Sequence, residues 1–198
     1  TYDELLETIK NKRFHEIIVG RFKPFFDVDI VIEELKKYNL TRKSIDKYID
    51  LFSNNIMEIF KNLFEVQLTK ENIIVCETIY KHKYSFHIII DGYYVEDHFQ
   101  MIEIVNIIKS LSDDKEFIDK ILDTNPYRHN GTLRLVGNSR LKTKDNYKVC
   151  RNIDTPNYLT YLTVINTCLP LKELSLTSLN SFEKSDIDIS EIDNIVDN

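Results

Sequence analysis

The chain has 198 residues, with 26 Lys and Arg against 32 Asp and Glu for a net charge of −6, and 42% of it is apolar. That length suits one domain, or two small lobes sharing a cleft, and supports a real core. No apolar run approaches the ~20 residues that a membrane span needs, no secretory leader is visible, and no membrane partner is expected.

The net charge hides an uneven distribution. Residues 128–151 carry seven Lys or Arg against Asp145 alone, and residues 183–198 carry six acids against Lys184 alone. A basic segment followed by an acidic tail keeps nucleic acid open as a partner despite the overall sign. Cys76, Cys150 and Cys168 are far apart and odd in number, which fits buried thiols in a reducing, intracellular compartment and no zinc knuckle.

In chain order, residues 2–10 show a short helical period and 14–19 a first strand. Pro24, which has no amide to donate, stands before Phe25-Phe26-Asp27-Val28-Asp29-Ile30, a buried strand interrupted by two carboxylates. Side chains in a strand alternate, so Asp27 and Asp29 share one face while Phe26, Val28 and Ile30 share the other. Paired carboxylates repel and resist burial, and a divalent cation relieves both problems. An edge strand with two solvated acids is the bland alternative. Repulsion also predicts that Asp29→Asn raises stability in the absence of metal.

Apolar positions at three- and four-residue steps predict a long amphipathic helix over 44–66, which is core. Strands are expected over 72–78 and 84–90, joined by the polar Lys81-His82-Lys83, with a turn at Asp91-Gly92. Helices are expected over 97–111 and 114–122, then strands over 132–136, 148–150 and 158–165, with a linker or frayed tail beyond 179. Irregular alternation of this kind predicts an α+β fold, a mixed β-sheet covered by helices.

Two further stretches carry chemistry. In Lys83-Tyr84-Ser85-Phe86-His87, a period of two puts a cation, a hydroxyl and an imidazole on one face, a set suited to a triphosphate. A solvated edge strand would carry the same residues. From Leu122 to Arg140 come a third carboxylate, Asp123, an Asn130-Gly131 turn, Arg134 in the following strand, and Arg140 after Gly137-Asn138-Ser139. Arginines scattered on a surface hairpin are the alternative here.

The ordered set Asp27-x-Asp29, Lys83-Tyr84-Ser85-Phe86-His87, then Asp123, Tyr127, Asn130, Arg134-Leu135 and Ser139-Arg140 resembles the archaeo-eukaryotic primase superfamily. It is most similar to the primase–helicases of large DNA viruses, over residues of about 20–145. The eukaryotic branch tends to Asp-x-Glu where this chain has Asp-x-Asp.

The resemblance implies a primase fold with an RRM-like catalytic module over 1–180, and an acidic tail or linker over 181–198 leading to a helicase module of superfamily 3 type. It implies template-directed nucleotidyl transfer on single-stranded DNA, with NTP or dNTP as substrate and two Mg2+ or Mn2+ ions as cofactor. Asp27, Asp29 and Asp123 would hold the metals, and His87 would complete the catalytic set. Lys83, Ser85, His87, Arg134 and Arg140 would hold the nucleotide. Lys23, Arg128 and Lys142 are softer candidates for template or phosphate contacts, and Asp119 competes with Asp123 for the third carboxylate. A viral origin would place the chain in the host cytoplasm.

Two rivals stand beside this reading. One is a metal-dependent glycosyltransferase, which also uses Asp-x-Asp but has no need of the Lys-x-Ser-x-His strand. The other is a primase-like lobe that binds DNA without catalysis.

Overall fold

The structure is a computed structural model that describes residues 4, 8, 14–37, 41–112, 115–136, 138, 149–150, 163 and 169–170. The expected strand over 158–165, Thr163 excepted, and the tail beyond 179 lie outside the described residues, as does most of the expected helix over 2–10.

Alternation in Phe25–Val31 yields the strand β2, after a short β1 at His15–Ile17. Phe26, Val28 and Ile30 are fully buried on one face of β2. At its end the chain turns directly into helix α1, Ile32–Lys37. Thr41 then starts the long helix α2, Arg42–Phe64, with a reciprocal cap: its hydroxyl accepts from Ser44 N and Ser44 Oγ accepts from Thr41 N, both at 3.2 Å. The helix stops where Glu65 turns left-handed at φ 55°. Its apolar stripe lies on the helix-covered face of the sheet, where Phe52 meets Phe26 edge-on at 5.9 Å between ring centres.

Strands β3, Ile73–Ile79, and β4, Lys83–Ile90, form a hairpin closed by Tyr80 N donating to Lys83 O at 2.8 Å. The turn at Asp91-Gly92 uses the positive φ of Gly92 (92°), and the short strand β5, Tyr93–Tyr94, follows. Helix α3, His98–Leu111, is capped by Asp97, and helix α4, Lys115–Ile121, runs straight into a two-residue strand β6, Leu122–Asp123. A 3-10 turn at Asn125–Tyr127 and strand β7, Thr132–Arg134, follow. Short strands β8, Val149–Cys150, and β9, Leu169–Pro170, come later.

The central sheet has the order β6-β2-β4-β3-β8, antiparallel at every pairing. β1 pairs with β7 antiparallel, and among the described residues parallel pairing is confined to β5 with β9. The fold is α+β, as its alternation of elements predicts. Helix α4 packs on β2, and Tyr48 of α2 meets Phe117 of α4 edge-on at 5.3 Å, so one side of the sheet is roofed by helices. On the other side, Tyr127 of the 3-10 turn covers Phe25 at 5.0 Å between ring centres. Beside this covered patch the sheet face turns polar.

Candidate active site

The polar face is built by strand register. β2 against β4 sets Asp27 opposite His87, Asp29 opposite Ser85 and Val31 opposite Lys83. β6 against β2 sets Asp123 opposite Asp27, and β3 against β4 sets Cys76 opposite His87 and Thr78 opposite Ser85. Directly opposed residues share a face at about 5 Å between Cβ atoms. One row across the sheet therefore reads Asp123, Asp27, His87, Cys76.

Two carboxylates, nearly a hundred positions apart, thus meet side by side. Helix α4 and the 3-10 turn decide this, because they deliver Asp123 to the edge of β2. Asn125 fixes the second carboxylate, donating to Asp123 Oδ1 from its amide N at 2.9 Å and from Nδ2 at 2.6 Å. Tyr127 fixes the strand bearing the first: its hydroxyl accepts from Asp27 N at 3.1 Å. Burial pushes the Tyr127 phenol well above its ordinary range, and the charges of Asp27 and Asp123 add to that push. His87 Nε2 lies 3.5 Å from Asp27 Oδ1.

An open cleft of about 190 Å3 lies over this row, lined by Asp27, Ser85, His87, Asp123, Arg128 and Arg134. All six were singled out from the sequence. His15 and Asn125 also line it. Arg134 is 6% exposed, donates to the Tyr80 hydroxyl and lies over the Tyr80 ring, with Cζ 5.6 Å from its centre. Its strand begins after Asn130-Gly131, where a Cβ on Gly131 would stand 1.8 Å from Pro126 O. Only glycine permits that close approach between the turn and β7.

The other sequence candidates fall differently. Asp29 shares the face of Asp27 one pleat along, and Lys83 Nζ forms an ion pair with its Oδ2. Neither Asp29 nor Lys83 is among the residues lining the cleft. Lys23 is 2% exposed and ion-paired with Asp91 at 2.6 Å, likewise away from the lining. Asp119 sits on α4, ion-paired with Lys109 at 3.1 Å, so Asp123 is the acid that reaches β2. Arg140 and Lys142 lie outside the described residues, as do Lys144, Lys148 and Arg151 of the basic stretch 128–151. Cys76 is fully buried, and the register brings Cys150 opposite it on β8.

Sequence reading missed His15, Tyr80 and Asn125. His15 reaches the cleft because β1 pairs with β7, in register with Arg134. No local pattern marks such a pairing. Asn125 could have been found, since an Asn two positions after an acid in Asp123-Thr124-Asn125-Pro126 is a common side-chain turn.

Among the described residues, no three His, Cys, Asp or Glu side chains form a group arranged to hold a metal ion. The donors that do meet, Asp27 and Asp123, are both carboxylates. Oxygen-only donors suit a hard cation, and Mg2+ is commonly held by one or two carboxylates, with water and substrate phosphates completing its shell. Asp29 Oδ1 is buried without a hydrogen-bond partner on the same face, a further acceptor for a cation or its water. The residues present therefore fit a divalent cation. The same cleft sets Arg128, Arg134 and His87 around these acids, so cationic and hydrogen-bond-donating groups stand beside the carboxylates.

No family model matches the chain. It is similar to Primase D5 of Fowlpox virus (strain NVSL), at 27% identity over 168 residues that cover 78% of this chain and 20% of that protein. The chain spans about a fifth of the length of that relative, so the likeness is primase-like over one stretch of it. No helix among the described residues is long and apolar enough to cross a membrane.

Proposed function

We propose that the chain is the catalytic module of a DNA primase or primase-polymerase, making primers on single-stranded DNA by template-directed nucleotidyl transfer from NTP or dNTP. The observation that carries this reading is the row Asp123, Asp27, His87, opening into a cleft whose walls also hold Ser85, Arg128 and Arg134. The likeness to Primase D5 supports it independently. The family resemblance adds a helicase of superfamily 3 type as the fused or associated partner.

In the proposed reaction a 3′-hydroxyl attacks the α-phosphate in line and the bond to pyrophosphate breaks. Such transfer asks the protein for positioning and charge neutralisation above all. Mg2+ or Mn2+ held by Asp27 and Asp123, with Asp29 on the same face, would neutralise phosphate charge and acidify the attacking hydroxyl. Ser85 offers a rotatable hydroxyl to a phosphate oxygen, and His87 a directional N–H beside it. Arg134, steadied by Tyr80, offers a planar pair of donors from the opposite wall. Arg128 at the exposed rim meets the phosphates or the strand that carries the template.

A priming assay on single-stranded DNA, comparing NTPs with dNTPs and Mg2+ with Mn2+, tests the reading. Asp27→Ala is expected to lose activity by about a thousandfold or more with its circular dichroism unchanged. Full activity in that variant would overturn the assignment. Turnover of a nucleotide sugar would select the glycosyltransferase, and metal-independent DNA binding without product would select the non-catalytic lobe.

A further inference from the structure

Phe99 has the most exposed large apolar side chain among the described residues, at 69%. It stands in the first turn of α3 on a fixed backbone. Asp97 Oδ1 accepts from Phe99 N at 2.9 Å and Gln100 N at 3.0 Å, and Glu96 N donates to Gln100 Oε1 at 2.8 Å. The ring has aromatic company: His98 lies 4.0 Å away between centres, and His129 lies 6.1 Å beyond His98. His129 follows Arg128, whose side chain lines the cleft. Phe99 and His98 thus belong to a ring cluster that includes His129, the residue next in sequence to the cleft-lining Arg128.

Single exposed apolar side chains are ordinary on protein surfaces. Three features separate this one: the capped turn beneath it, the ring cluster beside it, and the place of His129 in that cluster, next in sequence to the cleft-lining Arg128. Flat π-faces next to a phosphate-binding cation are what a single nucleic-acid strand recognises, since bases stack on aromatic rings while the backbone pairs with cations. The two acids that precede the platform are occupied, Glu96 by Arg21 at 2.7 Å and Asp97 by the helix amides.

We propose that Phe99, backed by His98 and His129, is a stacking platform for an unpaired base of the DNA strand that passes over Arg128. The proposal rests on the primase reading and deepens it, adding a strand-holding site distinct from the carboxylates. Because every base has a π-face, the site grips the strand without reading its sequence.

Fluorescence anisotropy with a labelled single strand tests it on the whole chain. Phe99→Ala is expected to weaken binding roughly tenfold, while Phe99→Trp retains it. On a strand of abasic residues, wild type and Phe99→Ala are expected to bind alike. Unchanged binding by Phe99→Ala on the normal strand overturns the proposal. So does an equal loss on the abasic strand, or a rise in nucleotide KM with no change in strand affinity. A wild type that binds no single strand removes the primase reading as well, whereas strand binding indifferent to Phe99 removes only the platform.

Discussion

Asp29 and Lys83 show how one cross-strand contact reverses a stability effect. On the strand alone, Asp29 repels Asp27, and its neutralisation is expected to stabilise the metal-free chain. In the fold, Lys83 Nζ pairs with Asp29 Oδ2, and the two side chains are only 11% and 19% exposed. Asp29→Asn would leave a nearly buried ammonium without its carboxylate, so a loss of roughly 1–3 kcal/mol is expected. Urea denaturation in EDTA checks the sign, and a gain in stability would mean that repulsion from Asp27 outweighs the pair. Lys83 was expected to hold phosphate; in the fold its first partner is an acid of its own sheet. Tyr80 sets the neighbouring cation in the same way, accepting from Arg134 at the cleft wall.

At the scale of elements, long pieces follow their period and short ones follow their neighbours. The strand Phe25–Val31 and the helix Arg42–Phe64 stand where alternation and three- and four-residue steps place them, because each buries a continuous apolar face. β6 is different. Two residues have no period to read, and Leu122–Asp123 is a strand only because β2 offers it a ladder. The turn before β7 depends on one glycine, since Pro126 O stands where a Cβ on Gly131 would be. Gly131→Ala is therefore expected to cost about 1–3 kcal/mol, seen as a lower urea midpoint, together with weaker nucleotide binding as Arg134 shifts. A variant as stable as wild type would show that the turn moves without strain.

For the molecule as a whole, the decisive event is the meeting of β2 with the segment after α4. Like charges at Asp27 and Asp123 oppose that meeting unless a cation joins them. Divalent metal is thus expected to stabilise the entire fold: at a hundred times its Kd the gain is about 2.7 kcal/mol. In a chain of this size that raises Tm by roughly 5–10 °C. Asp123→Asn is expected to abolish most of the rise. A wild-type Tm indifferent to Mn2+ and Mg2+ would show that these carboxylates take no cation.

Residue type and spacing by themselves marked Asp27, Ser85, His87, Asp123, Arg128 and Arg134 as candidates before any coordinates, and the fold brings all six to the lining of one cleft. Residue type and spacing also determined the α+β class. Tertiary structure alone decided the partners. Register, a long-range property with no local trace, set Asp123 against Asp27 and His15 against Arg134, and it gave Lys83 to Asp29. Strand pairing is chosen by the burial of whole faces, so it fixes contacts that no short stretch of chain encodes.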